Sequence, residues 1–211
     1  MQRTVKTMLL DGGCFCFDFT NTVHSRVDEN TYDYITSYND ILDWSERVKL
    51  LPTGRLKELR RYSDQNKKEA EQKLREIVDK REVLYTIFSS IIRDKTPDVF
   101  VAEKFNNALS DSLSKLRLQL NKQKINIGWD EKKIDLMEPL WGVYKNAFDI
   151  ITSTPINRIK ECKACGWLFL DKSKNNSRTW CNMQSCGSIE KSKRYYHNVK
   201  KGKGKLKLYT S

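Results

Sequence analysis

Four cysteines near the end of the chain restrict its fold more than any other feature: Cys162-x2-Cys165, an intervening fifteen residues, then Cys181-x4-Cys186. Two close pairs separated by a loop supply what a tetrahedral four-thiolate zinc site needs. Each pair gives two sulfurs from one tight turn, and the segment between folds the second pair over the first. Gly166 directly follows the first pair, where a knuckle turns its backbone amides toward the sulfurs. The second spacing widens its turn but stays within the range of zinc sites. Two alternatives use the same residues: buried cysteine pairs without metal, and disulfides, which a reducing compartment disfavours. A segment this short is hard to stabilise by its own core, and metal binding worth about 10–16 kcal/mol solves that problem. Four thiolates close the coordination sphere and leave no position for an activated water, so one Zn2+ held by Cys162, Cys165, Cys181 and Cys186 is expected to be structural. His24 and His197 are not needed as ligands. Between the pairs, Trp167–Leu170 and Arg178–Trp180 are strand candidates around a Lys172–Asn176 turn, and a helix is expected from near Cys186.

The charge lies with the cysteines. The chain of 211 residues has a net charge of +12. Residues 1–155 carry 25 Lys/Arg against 24 Asp/Glu, whereas residues 156–211 carry 14 against three (Glu161, Asp171 and Glu190). A one-sign segment suits a polyanion, nucleic acid first and an anionic membrane surface second; the bland alternative is a basic tail that keeps the protein soluble. On the expected helix Lys191, Arg194 and Lys201 fall near one stripe, with Lys193, His197 and Lys200 beside them, while Ile189, Tyr196 and Val199 are placed to pack back on the hairpin. Lys172, Lys174 and Arg178 on the hairpin loop extend the footprint for phosphates. Tyr195 or Tyr196 has two possible fates, stacking on a base or burial in the core, and burial is the commoner.

Residues 1–155 have a different texture. In LLDGGCFCFDFT, Phe15, Phe17 and Phe19 alternate with Cys14, Cys16, Asp18 and Thr20, and period two predicts a strand. Tyr38, Ile41, Leu42, Trp44 and Val48 share a helical face. Leu51-Pro52-Thr53 ends that element, and Thr53 is the expected cap of the next. Residues 54–64 and 66–93 read as helices, the second with a core stripe through Leu74, Ile77, Val78, Val83, Leu84, Ile87, Phe88, Ile91 and Ile92. Residues 98–110 predict another helix. Leu116, Leu118 and Leu120, then Ile125, Ile127 and Trp129, alternate as a hairpin connected through Asn121–Lys124. Residues 134–152 return to helical spacing. The expected architecture is α+β: a mainly helical domain over 1–155 with a few short strands, then a small treble-clef-like ββα zinc domain over 156–211.

Two short constellations in the first part carry chemistry. Asp18, Asn21 and His24 follow a strand end, where polar groups can converge on a small molecule; capping of the local backbone is the competing role. Cys14 and Cys16 share a face and form a redox or metal pair, or are simply small buried residues. No nucleophile–base triad, phosphate loop or paired catalytic carboxylate is present, and no enzyme is expected. No apolar run approaches the roughly 18–20 residues that cross a bilayer, so no transmembrane helix is expected, and with nucleic acid the favoured polyanion no membrane partner is expected. MQRTVKTMLLDGG lacks a secretory h-region, so the expected location is the cytoplasm.

The run CxxCGWLFLDxSxNxxRxWCxMxxCG resembles the CGNR-type zinc finger. That family pairs its finger with an N-terminal ABATE-like domain that opens on a Gly, a hydrophobic-Asp-Phe segment and an Asn-Thr dipeptide; here GGCFCFDFTNT supplies Asp18, Phe19, Asn21 and Thr22. The finger match covers about residues 158–200. The resemblance implies a bacterial transcription regulator of the stress response, with a DNA-binding finger and an N-terminal domain that senses a ligand. The chain departs from the pattern after Cys186-Gly187, with Ser188-Ile189 where the family has Asn-Arg. Ile189 cannot replace an Arg contact, which leaves Lys191, Lys193 and Arg194 for phosphates. The expected partners are thus duplex DNA, a small-molecule effector and a second copy of the chain. RNA is the alternative nucleic acid, and ligand binding by residues 1–155 the alternative main function.

Overall fold

The computed structural model describes residues 3–121 and 124–206. Its frame is the longest helix. The apolar stripe of residues 66–93 folds as α4, Lys67–Ile92, and buries Ile77, Leu84, Ile87 and Phe88. Other helices close on that stripe. They are α2 (Tyr38–Arg47), α3 (Thr53–Gln65), α5 (Val99–Ser114) and α6 (Glu138–Ser153). α2 starts on a capping box: Ser37 Oγ accepts the Asp40 N–H, and the Asp40 carboxylate accepts the Ser37 N–H. α5 starts where the Asp98 carboxylate accepts the Phe100 N–H at 2.9 Å. Thr53 does not cap α3; it is the helix's first residue, and Pro52, with its preset φ, occupies the cap position.

Phe15–Thr20 is a helix, α1, not a strand. The reason is burial: every residue from Cys16 to Thr20 is buried, and only Phe15 at the start is exposed. Phe17 meets Phe88 of α4 edge-on at 4.8 Å, and Phe19 packs against Trp44 of α2 at 5.4 Å. The Cys16 N–H donates to Asn146 of α6. A helix covered all round shows no amphipathic stripe, so its period is invisible in the sequence. Gly12 permits the fold-back that starts it, because a Cβ there would lie 2.6 Å from the Asp18 nitrogen.

The hairpin forms as expected. β1 (Leu116–Asn121) pairs antiparallel with β2 (Lys124–Trp129), with Leu116 opposite Trp129, Leu118 opposite Ile127 and Leu120 opposite Ile125.

After α6, a 3-10 turn leads into β3 (Ile159–Glu161), which pairs antiparallel with β4 (Leu168–Leu170). This corrects the expected hairpin partner. Arg178–Trp180 is not a strand but an irregular segment whose Arg178 N–H donates to the Asp171 carboxylate at 2.9 Å. A turn over Met183–Gly187 then starts α7, Ser188–Leu206.

Ile159, Trp167, Leu168 and Phe169 belong to the same buried cluster as α1, α4 and α6. The cysteine-bearing segment therefore shares a core with the helices. No helix among the described residues is long and apolar enough to cross a membrane.

Candidate metal centre and basic helix

β3 and β4 bring the first cysteine pair into a tight knuckle. The Cys162 N–H donates to the Trp167 carbonyl and the Gly166 N–H to the Cys162 carbonyl, both at 2.8 Å. Gly166 sits at φ +74°, and a Cβ there would fall 2.6 Å from the Arg26 side chain; no other residue suits both conditions. Of the second pair, Cys186 lies in the Met183–Gly187 turn and Cys181 just before it; the start of the turn is held by the Asn182 side chain accepting the Gln184 and Ser185 N–H groups.

The four sulfurs of Cys162, Cys165, Cys181 and Cys186 lie within 4.8 Å of one another. Cys165 to Cys181 and Cys181 to Cys186 both measure 3.7 Å. Ligands about 2.3 Å from a tetrahedral zinc stand roughly 3.8 Å apart, so the donors present fit the ion. All four cysteines are free of disulfides. Four thiols this close compete to lose protons, and a cation between them removes the conflict. The protein holds one structural zinc here, which fixes both turns and leaves no thiolate free for chemistry.

The centre is locked to the helices. The Leu168 N–H donates to Asn21 Oδ1 at 3.0 Å and Asn21 Nδ2 donates to the Leu168 carbonyl at 2.8 Å. Trp167 Nε1 donates to the Val23 carbonyl, and the Arg26 N–H to the Cys165 carbonyl, each at 2.7 Å. Glu161 joins Arg93 and Ser89 of α4. Asp171 is fully buried; burial alone would raise its carboxyl, but hydrogen bonds from Lys160 and Ser173 outweigh that and hold it well below the usual range.

The sequence-predicted cations are not equivalent. Lys174, Lys191 and Lys193 are exposed, and Lys193 pairs with Glu190 at 2.9 Å. Lys172 is exposed but reaches back to the Gly13 carbonyl at 2.8 Å. Arg178 is half-buried, lies 4.9 Å over the Phe169 ring and donates to the Cys181 carbonyl. α7 runs through Arg194, Lys200 and Lys201, whose side chains lie outside the described residues. Ile189 and Tyr196 do not pack back on the hairpin. They are 53% and 67% exposed, and Tyr195 is 66% exposed, because α7 leads outward from the metal centre.

Asp18, Asn21 and His24 do not converge. Asp18 is buried and accepts the Gly12 N–H; burial pushes its carboxyl up to about 6. Asn21 is buried and turned to Leu168, with which it exchanges two hydrogen bonds. His24 is exposed, stacked on Tyr32 at 4.5 Å and hydrogen-bonded through Nδ1 to the Tyr32 and Tyr34 hydroxyls. It lines a cleft of about 450 Å³ that runs past Met8, Val27, Trp167 and Cys165 to Ile189 and Lys193. Asp11, which the sequence reasoning did not single out, borders the same cleft and accepts from Asn182 at 3.1 Å. Nothing local marks Asp11, because its partner lies 171 positions away.

No curated protein matches the chain. A model of the CGNR zinc finger matches residues 158–198, and a model of the ABATE family, described as a putative stress-induced transcription regulator, matches residues 13–154. The ABATE description is regulatory, and the other names only a zinc finger. With two-thirds of its length under the second match and its zinc ligands under the first, the chain belongs to the ABATE family and ends in a CGNR zinc finger.

Proposed function

We propose that the protein is a cytoplasmic regulator of transcription that binds duplex DNA through its zinc-supported basic segment. One observation carries this: nearly the whole net charge sits on residues 156–211, and about half of that charge falls on α7, which starts at the zinc centre with Lys191 and Lys193 exposed. Cations on a fixed helix neutralise phosphates and release counterions, which gives affinity and steep salt dependence. Ile189 adds an apolar side chain, so this chain draws its affinity from the backbone more than from base edges.

The test is anisotropy of labelled duplex DNA with intact, zinc-loaded protein across a salt series. Binding that weakens linearly in log–log form supports the reading; absence of binding at low salt overturns it. Competition with duplex RNA and single strands decides between DNA and RNA.

A second function rests on the cleft beside His24. It touches the helical body at Met8, the metal centre at Cys165 and the base of α7 at Ile189, so an effector held there would bias the orientation of the basic helix. A rise in the melting temperature of the full chain with one member of a metabolite panel, lost in His24→Ala, supports it; no rise across the panel counts against it.

A further inference from the structure

We propose that Cys14 and Cys16 form a redox modification site, at which a hydroperoxide such as hydrogen peroxide converts the two thiols into a reversible intrachain disulfide. Both are free thiols, and their sulfurs touch at 3.6 Å. Cys14 holds the cap position of α1, and Cys16 follows two residues on. Helix geometry spaces such Cα atoms by about 5.4 Å, inside the span that a disulfide bridges. The sulfurs need to close by only about 1.5 Å to reach the bond length of roughly 2.05 Å. Two other roles fit less well. A metal needs more donors, and among the described residues the metal-ligating cluster is Cys162, Cys165, Cys181 and Cys186, which neither sulfur joins. Packing as a small apolar residue accounts for Cys16, but not for a half-buried Cys14 turned onto it.

Exposure divides the chemistry between the two. Cys14 is half-buried, within reach of a small oxidant, whereas Cys16 has no exposed surface. Burial, and then the Cys14 sulfur, push the Cys16 thiol well up, so it keeps its proton and is not the group that meets the oxidant. The Cys14 thiolate attacks one peroxide oxygen. The O–O bond breaks, the leaving hydroxide takes up the thiol's proton from solvent, and the first water departs. Cys14 is then a sulfenic acid, oxidised by two electrons. Cys16 Sγ attacks Cys14 Sγ, the S–O bond breaks, and the departing hydroxide takes the Cys16 proton and leaves as the second water. Two thiols and one peroxide thus give one disulfide and two waters. A touching partner closes this bond before a second peroxide carries Cys14 to the sulfinic acid. Exchange with a small dithiol restores the pair, as a transient disulfide in a reducing compartment requires. The inference does not rest on the proposed function.

The experiment is peptide mapping of the zinc-loaded full chain over a hydrogen peroxide series carried up to zinc loss. Catalase stops each reaction, and iodoacetamide blocks the remaining thiols during denaturation. Trypsin releases residues 7–26, which contain Cys14 and Cys16 and none of the zinc ligands. This peptide should lose two hydrogens and take up no alkyl group while zinc stays at one per chain. Dithiothreitol before blocking should restore both alkyl groups. Cys16→Ala should stop at the Cys14 sulfenic acid, captured by dimedone as one adduct, and Cys14→Ala should leave Cys16 unmodified. The wild-type map decides even where a variant fails to fold. A peptide that keeps both alkyl groups up to zinc loss overturns the proposal, as does Cys14 recovered as a sulfinic acid or linked to a zinc cysteine. So does a folded Cys14→Ala protein whose Cys16 is oxidised as fast as in wild type.

Discussion

Asn21 and Leu168 exchange two hydrogen bonds across the join between the helical body and the metal centre, with the Asn21 amide acting as one more strand residue beside β4. Both residues are fully buried, so water cannot replace either bond. Asn21→Ala leaves the Leu168 N–H and carbonyl without partners in the core, at about 1–3 kcal/mol each. The expected result is a lower midpoint in urea with an unchanged slope, worth roughly 2–4 kcal/mol in total. Asn21→Asp should be no milder, because a carboxylate cannot donate to the Leu168 carbonyl. A midpoint within experimental error of wild type would show that the pair is not needed.

Zinc removal should reach beyond the finger. Ile159, Leu168 and Phe169 are at most 3% exposed and pack with Phe17, Leu84 and Phe88 of the helical body. Cys165→Ser should release the ion, loosen both turns and uncover this shared apolar surface. We expect metal content to fall from one per chain to none, and the melting temperature of the whole chain to drop by more than 10 °C, a shift of the size that a few kcal/mol produces in a domain of this length. Hydrogen exchange should show faster exchange in α1 as well as around β4. Unaltered protection of α1 in the metal-free protein would mean that the two parts are energetically separate.

The metal ligands were legible because thiolate chemistry fixes their spacing, and the long helices because α4 and α2 each bury one stripe. α1 was not legible: Cys16 to Thr20 are all buried, so the alternation of Phe15, Phe17 and Phe19 carried no information about solvent. β3 was missed for the opposite reason. Only Ile159 is buried in Ile159–Glu161, and a three-residue strand whose other two residues are half-exposed has no pattern to detect. Links such as Asn21 to Leu168 span 147 positions and depend on the finished fold. Ile189 and Tyr196 look like core residues by type, and only their place on an outgoing helix exposes them.

Asp18 should make stability fall as pH rises through mildly acidic values. Its folded carboxyl titrates near 6, raised chiefly by burial and further by Asp11, against the opposing Gly12 N–H, Arg47 and Lys172. The unfolded carboxyl titrates near 4, so between about pH 4 and pH 6 the folded chain binds the extra proton, and this group's contribution weakens as pH rises across that window. At pH 7 the native state carries the penalty of a buried carboxylate, roughly 3 kcal/mol at most. Asp18→Asn keeps an oxygen to accept the Gly12 N–H and removes the charge. It should raise stability at pH 7 by about 1–3 kcal/mol and approach wild type near pH 4. The check is the difference between the two proteins at each pH, with zinc in excess so that thiol protonation is common to both. A difference independent of pH would refute the assignment.

Lys174 and Lys191 separate the proposed interface from the scaffold that supports it. Both are exposed and sit on the two elements that the zinc centre brings together, the loop after β4 and the first turn of α7. Each phosphate contact contributes about 0.9 to the slope of log affinity against log salt. Lys174→Ala with Lys191→Ala should therefore lower that slope by about two and weaken binding to unrelated duplexes by a similar factor, since phosphates carry no sequence. Arg178→Ala should behave differently. Its guanidinium lies on Phe169 and bonds the Cys181 carbonyl, so its loss should weaken zinc retention along with DNA binding. Metal content after dialysis against a chelator distinguishes the two variants. If the lysine pair leaves affinity and slope unchanged while zinc stays bound, the nucleic acid meets another face of the protein.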